Sequence, residues 1–329
     1  MKTFGILGAG TWGTALANML ENMGHHVCVW SPLEKEINNI ITTRTHSHLP
    51  GSIINSNIEF TTDEEYAIKD KDYVMIATPS VYVRQTITNV KRLLNKDQVI
   101  ITVAKGIERE TMFTMSDIIH DVLGPGFNVV CLSGPTHAEE VAKGMPTLIV
   151  AACENIEIAN QVRNEIHNDV LRVYSNSDIR GAEIAGALKN IIAVACGMSE
   201  GRGFGDNIKA ALITRGLTEI TRLGVAMGCK KDTFYGLTGI GDIVVTATSN
   251  FSRNHNAGVL LGKGLSLEET LKEIGMVVEG INALCAAKEL AERYNVSMPI
   301  VETVYSVIYE GMNPADALSV LFNRSLKEE

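Results

Sequence analysis

Three glycines near the start of the chain have the spacing of a phosphate-binding turn. Positions 8–13 read G-x-G-x-x-G. In that pattern Gly8 makes a tight turn, Gly10 lets the backbone approach a pyrophosphate, and Gly13 lets the next helix pack on the strand. The free amides at the start of that helix can bind phosphate. A glycine turn without a ligand is the alternative, but the buried strand predicted before it and the helical run after it favour a dinucleotide site.

A lysine in the second half of the chain has the surroundings of a proton donor. Lys189 belongs to a helix predicted over 179–198. At 100° per residue, its face of that helix carries small apolar residues, namely Ala182, Ala185, Ala193 and Cys196. Burial disfavours the ammonium form, which suits a lysine that transfers a proton. The alternative is a lysine that extends its head from a packed helix to solvent.

A basic helix start follows further along. Glycines at 236, 239 and 241 precede Asp242 and allow close backbone approach. Ser252 is a predicted N-cap, with Arg253 and Asn254 in the first turn of the helix. Helix amides, a guanidinium and a side-chain amide together suit a phosphate. Arg253 as an ordinary surface residue is the alternative.

Two loops follow predicted strands in the first half. Val99–Val103 leads into Lys105, and Val129–Leu132 leads into Gly134 and Thr136. In open parallel sheets ligands bind beyond the carboxyl ends of the strands, where both loops would lie. Lys105 could equally be a solvated loop lysine by its position alone.

The predicted secondary structure that must position these residues changes along the chain from alternating strands and helices to helices alone. Short apolar strands alternate with helices up to about residue 177, which predicts a mostly parallel sheet with right-handed crossovers. Helical periodicity alone continues after Asp178, a plausible N-cap. We therefore predict a Rossmann-like α/β dinucleotide-binding domain over 1–177 and an all-α substrate and catalytic domain over 178–329.

Composition narrows the partners. The chain has 329 residues and a net charge of -9, which argues against nucleic acid or an anionic membrane as the main partner. Six cysteines without C-x-x-C spacing indicate buried thiols in a reducing compartment, and the cytoplasm is expected. No apolar run of membrane-spanning length is expected. His46 and His48 have no third ligand nearby, so a solvated loop is favoured over a metal site and no metal is predicted.

The cofactor choice is open at the end of the second predicted strand, His26–Trp30. A dinucleotide fold usually places there an acid for the 2′-hydroxyl of NAD or a base for the 2′-phosphate of NADP. Ser31 and Pro32 supply neither, and Glu34 and Lys35 are expected to open a helix. We therefore predict use of NAD or NADP without large discrimination.

Several segments together resemble the soluble bacterial NAD(P)-dependent glycerol-3-phosphate dehydrogenases along essentially the whole chain. They are GAGTWGTALA at 8–17, AKGIE at 104–108, LSGPTHAEEV at 132–141, ALKNIIA at 187–193, the run from Gly236 to Gly258, and VVEG at 277–280. Related dehydrogenases share the first segment, whereas few share the set formed by the later ones. Many members have arginine where Ser31 and Pro32 stand, so their NADP contact is not carried over.

The resemblance implies roles for individual residues. Lys189 would be the acid/base, and Lys105 and Asp242 would complete the catalytic group. The implied substrate contacts are Lys105, Gly134, Thr136, Lys189, Asp242, Ser252, Arg253 and Asn254. The implied dinucleotide contacts are Gly8, Gly10, Thr11, Trp12, Gly13, Lys105, Ala138, Arg253, Val277 and Glu279, where Glu279 could also be a helix cap.

The expected activity is the reversible reduction of dihydroxyacetone phosphate to sn-glycerol 3-phosphate, which supplies the glycerophospholipid backbone. The partner would then be a small phosphorylated substrate, with no nucleic acid and no membrane insertion, in a homodimeric enzyme. Two alternatives are a dehydrogenase of the same architecture acting on a carboxylate substrate, and a non-catalytic dinucleotide sensor.

Overall fold

The first half of the chain builds one eight-stranded sheet in the computed structural model, which describes residues 1–325. The spatial order is β3-β2-β1-β4-β5-β6-β7-β8, and neighbouring strands are parallel except β6 and β7, which pair antiparallel. The strands are β1 Thr3–Leu7, β2 His26–Trp30, β3 Glu59–Thr61, β4 Tyr73–Ile76, β5 Val99–Thr102, β6 Asn128–Ser133, β7 Thr147–Ala152 and β8 Leu171–Asn176.

Helices connect the strands and then make up the rest of the chain. The first seven are α1 Thr11–Asn22, α2 Glu34–Thr43, α3 Glu64–Ile68, α4 Val83–Val90, α5 Met115–Leu123, α6 Ala138–Val141 and α7 Ile156–Ile166. The others are α8 Ile179–Gly201, α9 Asp206–Ala226, α10 Lys231–Phe234, α11 Asp242–Thr248, α12 Arg253–Gly262, α13 Leu267–Ile274, α14 Glu279–Arg293, α15 Pro299–Tyr309 and α16 Pro314–Phe322. The predicted fold class, an α/β domain followed by an all-α domain, is confirmed.

The edge of the sheet differs from the sequence-based expectation. The sequence did not predict β8, and nothing in it indicated that β7 runs antiparallel to β6. In β8 buried residues alternate with the exposed Arg172 and Tyr174, as in a strand with one solvated face. The predicted strands were recognised instead by continuous apolar runs, which a half-exposed edge strand lacks.

The chain divides into two compact units. The first contains residues 1–105 and 113–180, and the second contains residues 106–112 and 181–329. The predicted boundary between 177 and 178 lies close to the division after Arg180. The short excursion of 106–112 into the second unit was not predicted; Ile107 and Met112 are buried in the core cluster of that unit.

The longest helix, α8, is the centre of the second unit. It is long and apolar enough to cross a membrane by length and composition, with a mean hydropathy of 1.3, yet the whole apolar window is buried inside the protein. The expectation that no run reaches that length was therefore wrong on composition alone. A helix that is apolar all round is equally what a protein core requires.

Helices α8 and α12 cross with their backbones in contact. Gly197 and Gly201 of α8 face Gly258 and Gly262 of α12, and each pair is spaced by one helical turn. A Cβ atom on any of the four would overlap backbone carbonyl oxygens of the other helix. The two helices can approach this closely because all four positions lack side chains, and we call this contact the glycine crossing.

Candidate active site

The glycine turn after β1 has the geometry that a pyrophosphate needs. Gly8 has φ of 124°, a conformation that favours glycine, and its N–H donates to the Trp30 carbonyl at 2.8 Å. A Cβ on Gly13 would overlap the Gly8 carbonyl oxygen, whereas one on Gly10 would meet nothing within 4 Å. Since Gly10 is exposed and open, and α1 starts at Thr11 without a side-chain cap, the first amides of α1 are available to an anion.

Four buried hydroxyls lie close to the carboxyl ends of the central strands of the sheet, as the glycine turn does. Their oxygens have no hydrogen-bond partner within residues 1–325, and they belong to Thr11, Thr78, Thr102 and Ser133. Thr102 ends β5, Ser133 ends β6 and Thr78 follows β4 closely. Buried hydroxyls normally find partners, so this set fits a polar ligand such as a dinucleotide. Of the four, only Thr11 is among the predicted dinucleotide contacts, although a polar residue that ends an apolar strand is a usable signal for Thr102 and Ser133.

Lys105 and the loop after β6 meet at the same carboxyl end of the sheet. The Lys105 ammonium donates to the Gly134 carbonyl at 3.2 Å, and the Thr136 hydroxyl donates to the same oxygen at 3.2 Å. Ala138 starts the short helix α6 a little further along. The first unit therefore brings Lys105, Gly134 and Thr136 together, which the sequence had linked only through strand ends.

In the second unit Lys189 forms a buried polar cluster. Its ammonium donates to Asp242 Oδ1 at 2.8 Å and to Thr246 Oγ1. The Thr246 hydroxyl in turn donates to Asp242 Oδ1 at 3.3 Å. The three residues are 6%, 1% and 4% exposed, so the alternative of a lysine reaching out to solvent is wrong. Thr246 was missed, although it follows Asp242 by one helical turn and hence shares its face of α11.

Local structure explains why Asp242 reaches the lysine. Residues 237–241 form a π-helical turn, and α11 begins directly at Asp242. Gly239 packs against Phe234 so closely that a Cβ there would overlap the Phe234 backbone. The glycines thus let the chain turn tightly enough to place a carboxylate in an apolar interior, where the pairing with the lysine compensates its charge.

A chain of amides runs beside Lys189. The Asn254 side chain donates to Asn190 Oδ1 at 3.0 Å and accepts from the Gly280 N–H at 2.8 Å. Asn190 also donates to the Gly186 carbonyl at 3.3 Å. Asn254 therefore ties α8 to the start of α14, a role that sequence reasoning did not anticipate. Its predicted substrate contact would have to use the remaining N–H.

The start of α12 has the predicted form. The Ser252 hydroxyl accepts the His255 N–H at 3.2 Å, which confirms Ser252 as the N-cap. Arg253 is the first helical residue, is exposed, and makes no hydrogen bond or ion pair within the described chain. Its guanidinium is consequently available for an anionic ligand at a helix start.

Two predicted dinucleotide contacts lie at the beginning of α14. Val277 is half-buried just before the helix, and Glu279 is its first residue. The N-cap is Val278, without a side-chain cap bond, so Glu279 does not occupy the cap position. Its carboxylate lies where the helix dipole favours negative charge.

The loop containing His46 departs from expectation. His46 is 5% exposed, so the predicted solvated loop is wrong at this residue, whereas His48 is exposed. The His46 imidazole lies beside Glu36, with 3.9 Å between Nε2 and Oε1. Glu36 also accepts a hydrogen bond from the Ser31 hydroxyl at 3.0 Å. An acid is therefore present at the end of β2, although neither Ser31 nor Pro32 supplies it.

Comparison with known proteins finds matches in both halves of the chain. The family model described as NAD-dependent glycerol-3-phosphate dehydrogenase N-terminus matches residues 3–159. The model described as the C-terminus of the same family matches residues 178–319. Together they cover both units of the fold.

Individual relatives extend over the full length. A protein of Lactobacillus delbrueckii subsp. bulgaricus named glycerol-3-phosphate dehydrogenase (NAD(P)+) 2 is 51% identical, with 100% of this chain and 99% of that protein covered. A protein of Agathobacter rectalis with the same name, without the final number, is 46% identical, with 100% and 98% covered. The crystal structure of glycerol-3-phosphate dehydrogenase from Coxiella burnetii is 33% identical, covers 98% of this chain and 99% of its own, and superposes with a TM-score of 0.94.

Proposed function

Since the chain belongs to the NAD-dependent glycerol-3-phosphate dehydrogenase family, we infer that it reduces dihydroxyacetone phosphate to sn-glycerol 3-phosphate with NAD(P)H. The reaction is reversible and its product is the backbone of glycerophospholipids. The observation that carries the assignment to this chain is the buried Lys189–Asp242 pair. The same helical unit also presents Arg253, which makes no hydrogen bond or ion pair within the described chain.

Lys189 is proposed as the proton donor. Reduction of the ketone would leave an alkoxide, and a positioned ammonium that gives up its proton avoids that charge. Asp242 and Thr246 accept hydrogen bonds from the Lys189 head, which fixes its position. The pairing also keeps the lysine protonated in an apolar interior, ready to donate.

Arg253 is proposed as the phosphate anchor. A guanidinium binds phosphate in a bidentate geometry, and the amides of the first turn of α12 add donors to it. Binding energy from the phosphate, which does not react, can then orient the carbonyl. Ser252 fixes the start of that helix through its cap, and Asn254 links it to α8 and α14.

The first unit is proposed to hold the dinucleotide. When bound, NAD(P)H supplies the hydride that the ketone carbon accepts. The amides at the start of α1 and the open position at Gly10 would receive the pyrophosphate. The unpaired hydroxyls at the strand ends would contact polar groups of the cofactor, and Lys105, held on the Gly134 carbonyl, would contact the nicotinamide and the substrate.

An oxidation assay tests the function. NADH and NADPH oxidation is followed by the absorbance of the reduced nicotinamide, in the presence of dihydroxyacetone phosphate, dihydroxyacetone or a 2-keto acid. Turnover of the phosphorylated ketone is expected to be much faster than that of dihydroxyacetone or the keto acid. Preference for the keto acid would favour a carboxylate-specific dehydrogenase, and cofactor binding without turnover on any ketone would favour a sensor.

We also propose a cytoplasmic homodimer. None of the six cysteines, all of which lie within residues 1–325, forms a disulfide, and five of them are buried, which suits a reducing compartment. For the dimer, the support is the exposed Val320 and Phe322 on α16, a helix with no buried residue. Multi-angle light scattering measures the mass directly, and a monomer at micromolar concentration would contradict the dimer.

A further inference from the structure

The carboxyl end of β2 lies directly beside the glycine turn. The Gly8 N–H donates to the carbonyl of Trp30, the last residue of β2. Ser31, which follows, is 3% exposed. In a doubly wound sheet this corner receives the adenosine ribose, and an acid here accepts its 2′-hydroxyl. The residues around Ser31 therefore decide which dinucleotide fits.

The loop after Ser31 folds back on itself and brings in an acid from α2. The Ser31 hydroxyl donates to Glu36 Oε2 at 3.0 Å, and the Leu33 N–H donates to Ser31 Oγ at 3.3 Å. Glu36 lies in the first turn of α2. Its other oxygen, Oε1, has no hydrogen bond within residues 1–325, and His46 Nε2 is 3.9 Å away from it.

His46 lies beside this acid without cancelling its charge. Its Nδ1 accepts the His48 N–H at 3.1 Å, so Nε2 carries the hydrogen. Burial lowers the pKa of His46 below its usual value of 6.5, so the imidazole is neutral at pH 7.

Two other cations lie near on the sequence. Arg44 is engaged, since its guanidinium donates to the Asn55 and Ile58 carbonyls at 3.4 and 3.1 Å. Lys35 precedes Glu36 in the first turn of α2 and is exposed. It is the one cation of α2 in the described chain, so it is the first residue to test for contact with a 2′-phosphate.

We propose that Glu36 makes this enzyme prefer NADH to NADPH, by accepting the ribose 2′-hydroxyl at Oε1 and repelling a 2′-phosphate. Ser31 holds Oε2 and aims the carboxylate toward the corner. A phosphate dianion placed there would meet an unneutralised carboxylate, and like charges at an interface are strongly unfavourable. The proposal rests on the proposed function for the use of a dinucleotide, but not for the substrate. It replaces the expectation of little discrimination that Ser31 and Pro32 alone suggested.

The test measures binding rather than turnover. Dissociation constants for NADH and NADPH are determined by calorimetric titration of the wild type, Glu36→Gln and Glu34→Gln. Glu34 is a matched control, because it is an exposed acid in the same first turn and its change removes the same unit of charge. The ratio of the dissociation constants for NADH and NADPH, measured on one protein, does not depend on the fraction that is folded. A partly unfolded variant therefore still gives a valid ratio.

The wild type is expected to bind NADPH at least about tenfold more weakly than NADH, and Glu36→Gln to narrow that ratio by about tenfold, since one close charge contact is of that order. Glu34→Gln should leave the ratio within about twofold, as expected for an exposed charge. A wild-type ratio near one, or equal changes in the two variants, overturns the proposal. Selective loss of NADPH binding in Lys35→Ala, with tight NADPH binding in the wild type, overturns it as well and identifies a phosphate site.

Failure of this proposal is distinguishable from failure of the proposed function. A protein that binds NADH selectively through Glu36 but does not reduce dihydroxyacetone phosphate would contradict the function alone. A protein that reduces dihydroxyacetone phosphate equally well with both dinucleotides, and binds them equally, would contradict the Glu36 proposal alone.

Discussion

Lys189 and Asp242 are two buried charges that stabilise each other, and this makes the lysine more than a packing residue. Removing one member of a buried ion pair leaves the other charged and desolvated, at a cost of about 3 to 5 kcal/mol of stability. The apolar face of α8 by itself would predict a small stability change for an apolar replacement. The ion pair at 2.8 Å predicts a large one.

Lys189→Met is accordingly expected to lose both activity and stability. Loss of a general acid lowers kcat by a factor of about 10² to 10⁴. Thermal unfolding should show a marked drop in Tm, which Lys189→Met/Asp242→Asn should partly reverse without restoring kcat. NADH affinity, measured by fluorescence, should change little because the glycine turn is untouched. A variant with near wild-type kcat would exclude Lys189 as the donor and make Lys105 the next candidate.

Arg253→Ala is expected to discriminate between substrates. Loss of a charge-assisted phosphate contact should cost about 2 to 4 kcal/mol in kcat/KM for dihydroxyacetone phosphate. Phosphate-free dihydroxyacetone, which never makes that contact, should respond little. Arg215→Ala, at an exposed arginine on α9, serves as the control for net charge. Equal losses on both substrates would show that Arg253 does not bind the phosphate.

Spacing along the chain was enough to single out three charged residues of the second unit. Lys189, Asp242 and Arg253 each lie at a helix position that a 3.6-residue period or a glycine run makes visible. Thr246 and Glu36 were not found, because a threonine or glutamate on a helix surface is ordinary in sequence. Their importance depends on which helix they face, and that depends on packing between elements distant in the chain.

At the scale of elements, α9 and α15 are joined by an unusual carboxyl group. Glu219 of α9 is 3% exposed and accepts the Ile300 N–H at 3.0 Å, with the Val301 N–H at 3.4 Å. Burial raises the pKa of Glu219 to about 8, which outweighs the opposing effect of these amides. The group therefore carries its proton at neutral pH and caps α15 as a neutral acid.

This predicts a particular pH dependence of stability. The unfolded chain loses the Glu219 proton near the usual value of 4.5, whereas the folded chain keeps it until about 8. The stabilising contribution is thus complete below 4.5, declines as the pH rises, and is lost above 8. In Glu219→Gln this decline is absent. The Tm of the variant minus the Tm of the wild type should therefore increase by at least about 3 °C when the pH is raised from 5 to 9.

The control for this prediction is Glu292→Gln, which changes an exposed carboxylate on α14. Its Tm difference from the wild type should be independent of pH over the same range. A Glu219→Gln difference that is also constant would mean that the buried carboxyl does not change its proton occupancy on unfolding.

Most strands and helices were predictable because each has its own periodicity and end signals. The antiparallel pairing of β6 and β7 was not, since a strand direction is set by how the intervening segment crosses the sheet edge. The connection, residues 134–146, contains only the short helix α6. A parallel pairing usually has a full helix in its crossover, so the lack of a long helix here, rather than the length of the connection, accompanies the antiparallel direction.

At the scale of the whole molecule, the thiols should be nearly inert. Burial raises the pKa of both Cys28 and Cys196 to about 12, and Cys285 is the single half-buried cysteine of the described chain. Since the thiolate is the reactive form, an aromatic disulfide reagent should titrate at most one thiol rapidly in the native protein. All six should react after unfolding in denaturant. Rapid reaction of several native thiols would show that the core opens readily.

The division of the chain into two units followed from where strand signals stop, so the change in pattern near residue 178 was visible in the sequence. The excursion of 106–112 was not, because it lies between a strand and a helix of the first unit. Its membership is decided by Ile107 and Met112, whose apolar side chains are buried in the other core. Seven residues of loop carry no periodicity from which that choice could be predicted.

The glycine crossing bears on the length of substrate that the proposed site can accept. It joins the helix that carries Lys189 to the helix that begins at Arg253, and the two backbones are too close for a side chain at any of the four glycines. We therefore expect the proposed proton donor and the proposed phosphate anchor to be held at a fixed separation. That separation would select substrates by the number of bonds between the carbonyl oxygen and the phosphate. A phosphorylated ketone one carbon longer should still bind but should have a lower kcat than dihydroxyacetone phosphate. Gly258→Ala forces the two helices apart, so it should reduce the difference in kcat between the two substrates.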